Sequence, residues 1–60
     1  MTREQKIEWL SKATNEEVLD QLRWTVTAMS LTGNTIEQQI NIQEDYELVT
    51  AEIMGRMAKA

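Results

Sequence analysis

Apolar residues recur at helical spacing through most of the chain. Val18, Leu22, Val26 and Met29 step by four, four and three, with Leu19 at the edge of the same arc. Ile42, Tyr46, Val49, Ile53 and Met57 repeat the pattern in steps of four, three, four and four. Such spacing puts each set on one stripe of a helix turning about 100° per residue. No segment alternates with period two for long enough to be a strand.

Small polar residues followed three later by Glu or Gln mark the helix starts, as in a capping box. The pairs are Thr2 with Gln5, Thr14 with Glu17 and Thr35 with Gln38; Asn41 with Glu44 is a less standard fourth. They predict helices over about residues 3–12, 15–31 and 35–57. The clearest break is "LTGNT", where Gly33 supplies the left-handed residue that often follows a helix end. Gly55 stands near the end of the third pattern, as a weak spot before a fraying terminus or a point of close approach by another backbone.

The two stripes facing each other give an all-α fold: an antiparallel helical hairpin with a short extra N-terminal helix. Ile7 and Leu10 of that first helix are placed to close one end. Ile36 and Ile40 fall about 100° off the third stripe, beside Met54. Either the helix breaks near Asn41, or it continues and carries a second apolar seam; continuity is the preferred reading.

Trp24 lies nearly opposite the second helix's stripe, with Leu31 beside it and Ala28 just around from it. Three readings stand. Trp24 is an isolated exposed aromatic, or it lies under the first helix with Trp9 or Leu10, or it belongs to an interface with another chain. The interface reading takes in Trp24, Ala28, Leu31, Ile36 and Ile40. Size favours it. Sixty residues form one domain, 1–60, whose single core supplies only about 3–5 kcal/mol without a staple. There is no Cys for a disulfide and no His for a zinc site. Self-association, as a homodimer or larger, is the staple expected here.

The remaining composition removes function classes. The net charge of −4, with six basic residues spread along the chain, argues against nucleic acid. No apolar run spans a bilayer, and the polar start "MTREQKIEW" lacks the core of a secretory leader, so a cytoplasmic protein is expected. Without His or Cys, the nucleophile–base pairings that depend on them are missing, and Ser11 and Ser30 have no recognisable base. Carboxylates pair at helical spacing (Glu4 with Glu8, Glu16 with Asp20, Glu44 with Glu47), which reads as solvated helix face. The run "EDYE", Glu44 to Glu47, could attract a basic partner, although Asp45 and Glu47 read as solvated neighbours of Tyr46. No enzyme activity, cofactor or metal is expected.

Two blocks carry a resemblance. "DYELVTAEIMGRM" resembles small helical proteins encoded by phages and prophages of Gram-positive bacteria. These share an acidic–aromatic–x–Leu–x–x–x–Glu–Ile–x–x–Arg helix, here Asp45, Tyr46, Leu48, Glu52, Ile53 and Arg56. Together with "NEEVLDQL" it also resembles Sda-type inhibitors of sporulation histidine kinases, which are antiparallel helical hairpins. That likeness covers about residues 15–57. It departs in the extra N-terminal helix and in a longer segment between the blocks, so it implies the hairpin shape and no kinase-contacting residues. The expected function is a non-catalytic helical module, phage- or prophage-derived, that self-associates and binds an unidentified protein. The alternative is an inhibitor of a signalling enzyme such as a histidine kinase.

Overall fold

The computed structural model describes residues 1–31 and 33–59. It is all-helical among these residues: α1 (Arg3–Lys12), α2 (Asn15–Ser30) and α3 (Ile36–Lys59). The third helix runs unbroken through Asn41, so Asn41 and Glu44 form no cap. Its 24 residues set the long dimension of the molecule, 38 Å.

The three expected capping boxes are all formed. Thr2 and Thr14 accept from the amides of Gln5 and Glu17, whose side chains accept from the Thr amides in return. Thr35 and Gln38 make the same exchange at the head of α3, at 3.1 and 2.9 Å. Each box satisfies two amides that the first turn leaves without a helical partner. The amide and hydroxyl of Thr14 also hold the Glu17 carboxyl below its usual range. Between α2 and α3, Gly33 adopts φ +85°, the left-handed conformation expected of it. The Asn34 side-chain amide donates to the Ala28 and Leu31 carbonyls at the end of α2, the first of which also accepts from the Leu31 amide.

α2 lies along α3 with its first residue, Asn15, bonded to Arg56 near the far end of α3. α1 lies against the same two helices, over the half of α3 that runs from Glu44 to Arg56. The buried cluster is small: Leu10 from α1, Val18 from α2, and Leu48 and Val49 from α3. Ala13, Leu22 and Ile53 pack at its margin.

This core differs from the expected stripes in a systematic way. On α2, Val26 and Met29 are exposed, while Thr25 is 5% accessible. On α3, Leu48 is buried and Met57 is 70% accessible. Ile7, expected to close one end, is exposed, and Leu10 alone does so. The reason is that the buried arc serves two neighbours. Leu48 lies one step, about 100°, round from Val49 and meets α1, so the buried arc of α3 widens towards that helix. The arc of α2 rotates the same way. Thr25 can be buried because its hydroxyl donates to the Gln21 carbonyl at 2.8 Å, leaving a methyl group to pack.

The distinction is measurable by chemical denaturation. Leu48→Ala should cost about 2–5 kcal/mol, as expected for a buried leucine. Val26→Ala should cost less than about 1 kcal/mol, as for a surface site. Equal losses would restore Val26 to the core and discard the rotated arc.

Candidate interaction surface

Among the described residues no group of three or more acidic side chains is placed to hold a metal ion. Nor, among the described residues, is any helix long and apolar enough to cross a membrane. Two residues of the acidic run, Glu44 and Asp45, are occupied within the chain. Lys6 of α1 binds Asp45 at 2.7 Å and Glu44 at 3.2 Å, and Arg3 lies 3.8 Å from Glu44. Asp45 is therefore an inter-helix tie, correcting its reading as a solvated neighbour of Tyr46. The basic partner of the acidic run is the protein's own first helix. The Asp45 hydrogen bond raises the Lys6 pKa above its ordinary value, against the opposing effect of desolvation, with Glu44 adding to the rise.

Arg56 is tied more extensively. Its guanidinium donates to the carbonyls of Leu10 and Ala13, each at 2.7 Å, to the Asn15 side chain at 2.6 Å and to Glu52 at 2.9 Å. The Leu10 carbonyl needs this donor, because the Thr14 amide that would continue the helix is turned to Glu17 instead. The charge also sits at the C-terminus of α1, where the helix dipole favours a cation. Sequence reasoning placed Arg56 in a motif without a role. The visible signal was Glu52 four residues before it, the favourable order for an ion pair along a helix.

The interface residues expected from the sequence are apolar. Trp24 is 71% accessible, and α1 does not cover it, so the reading that hid it under the first helix is corrected. α1 is held at the level of Glu44–Arg56, and Trp9 faces Gln21, Leu48 and Val49 instead. Ala28, next to Trp24 on α2, is half-buried, and Leu31 is exposed. Ile36 and Ile40 are 77% and 64% accessible on α3. They border a shallow groove with Arg3, Glu44 and Glu47. Gln39 and Gln43 line both that groove and the depression holding Leu31. Leu31 and the Ile36–Ile40 pair thus border adjoining depressions, whereas Trp24 borders neither.

No family model, curated protein or solved structure matches the chain.

The clasp between α1 and α3 has a pH signature. A lysine whose folded pKa is raised contributes stability that is intact below its ordinary value of 10.5 and is lost as pH rises through the folded value. Stability should therefore fall more steeply above pH 10.5 in the parent than in Lys6→Arg, whose guanidinium keeps its charge there. Parallel curves from urea titrations would show that Lys6 does not clasp α3.

Proposed function

We propose that this protein is a non-catalytic helical interaction module. α2 and α3 act as an antiparallel hairpin strapped by α1, completed by self-association, and the assembly binds a protein partner. The observation that carries this reading is an imbalance in apolar surface. Among the described residues twelve large apolar side chains are exposed, while four apolar side chains are buried. Scattered apolar side chains are normal on any surface. Here they cluster along both long helices, in a chain too short to bury them itself.

Trp24 is the strongest single anchor on offer. Burying one indole removes up to about 250 Å² from water, or roughly 6 kcal/mol gross. Association costs on the order of 4–15 kcal/mol, so Trp24 needs Ala28, Leu31 or the Ile36–Ile40 seam beside it. A two-fold assembly uses each contact twice and lowers the requirement on any one residue. The module fits a small phage- or prophage-derived protein that acts by occupying a host or phage protein. The charged residues of the kinase-inhibitor-like block argue for a structural part in this chain, since Asp45 binds Lys6 of α1, and Arg56, paired with Glu52 on α3, binds α1 and Asn15 of α2.

Light scattering over a range of concentrations tests the reading. The parent should rise from its 7.0 kDa monomer mass to at least twice that value. Trp24→Glu should keep the helix content and lie within about 0.5 kcal/mol of the parent in stability, as expected for an exposed site. A parent that stays at 7.0 kDa at millimolar concentration would remove self-association from the proposal. A variant that unfolds would return Trp24 to the interior.

A further inference from the structure

α1 covers only one face of the α2–α3 pair. On that face Lys6, Trp9 and Leu10 meet Gln21, Leu48 and Val49. The opposite face has no helix on it. Shallow depressions mark its two ends, one lined by Leu19, Ile53 and Met57, the other by Met29, Ile42 and Gln43. Val26 lies exposed between them. Arg56, at one end, is already committed to Glu52 and to the carbonyls of Leu10 and Ala13. The face therefore offers apolar contact without a charge that burial would strand.

Its charges sit on the rims. Arg23 lies about 40–60° outward of Leu19 and Val26 on α2, and Glu47 about 60° outward of Thr50 on α3. Both are exposed, and Arg23 has no ion-pair partner among the described residues. Asn15 is bonded to Arg56 at one end, and Met29 shares a depression with Ile42 at the other. This register puts Arg23 level with Leu48, one residue from Glu47. Cation and anion thus stand at the same height on opposite edges, separated by the width of two helices.

We infer that this open face is a two-fold interface with a second copy of the chain, in which Arg23 of each protomer pairs with Glu47 of the other. The inference rests on the self-association reading above. The charge pattern selects the symmetry. A two-fold axis parallel to the helices lays α2 of one copy over α3 of the other at the same height, so both rims meet opposite charge. An axis across the helices lays α2 on α2 with Arg23 near Arg23, and like charges oppose it. In the selected arrangement Leu19 of one copy enters the Ile53–Met57 depression of the other.

The size is sufficient. The 16 residues of α2 span about 24 Å, and two helices side by side are about 20 Å wide. That footprint of roughly 480 Å² per copy brings the pair to about 1,000 Å², the lower limit for a specific interface. The product is a four-helix layer of α2 and α3 from both copies, with each α1 on the outside. The Trp24 edge stays open for a different protein.

Charge exchange tests the arrangement. Arg23→Glu and Glu47→Arg, both at exposed sites, should each weaken dimerisation at least about tenfold by light scattering or sedimentation, because each sets two like-charged pairs against the interface. The double variant Arg23→Glu with Glu47→Arg should recover to within about threefold of the parent. A double variant as weak as either single one would overturn the pairing. So would single variants that dimerise like the parent. If those dimers are instead dissociated by Trp24→Glu, self-association survives and moves to the Trp24 edge. A parent that is monomeric throughout would overturn both readings.

Discussion

The Arg56 guanidinium ties all three helices together through its hydrogen bonds. It sits on α3, is oriented by Glu52 one turn earlier, and closes the end of α1 through the Leu10 and Ala13 carbonyls while holding the first residue of α2 through Asn15. The tight Ala13–Thr14 connection makes this necessary. Thr14 turns its amide to Glu17 to start α2, and the last carbonyls of α1 lose their helical donors. A planar cation with several donors can serve these acceptors together, which an ammonium cannot. α1 buries only one side chain, Leu10, so its position depends on polar ties at both ends: Lys6 on Asp45 and Glu44, and Arg56 on the final carbonyls.

That placement of α1 decides what the rest of the surface can do. Because α1 lies on one face of α2 and α3, Leu48 is buried beneath it, while Val26, Met29 and Met57 stay outside. α1 is held on α3 by Lys6 and Arg56, and Trp24 on α2 is left uncovered. Most of the exposed apolar side chains of α2 and α3 lie outside the face that α1 covers. They fall in three zones: the open face, the Trp24 edge, and the Ile36–Ile40 seam, which adjoins the open face through Gln39 and Gln43.

Much of this was legible in the residues. The capping boxes at Thr2, Thr14 and Thr35 marked the helix starts to within a residue, because that motif is local chemistry. Gly33 marked the turn for the same reason. The outward position of Trp24 followed from helical periodicity. The buried arcs were less legible, since a periodic stripe says which side is apolar but not how many neighbours it serves. Thr25 counted as polar until its hydroxyl found the Gln21 carbonyl, and Leu48 counted as off-stripe until α1 lay beside it. The ties of Lys6 and Arg56 span 38 to 46 residues, and no local pattern reports such distances. For the interaction surface, periodicity identified the exposed side chains but not which of them adjoin. Leu31 and the Ile36–Ile40 pair border adjoining depressions, and Trp24 borders neither.

Amide hydrogen exchange in Arg56→Met tests the central role of this residue most directly. Methionine keeps the apolar stem of the side chain and removes every donor. The amides in the second half of α1, from Ile7 to Ala13, should lose most of their protection. Those around Val18 and Val49, held by direct packing of α2 on α3, should keep protection near the parent level. Undiminished protection of α1 in the variant would contradict the account, as would an equal loss across all three helices.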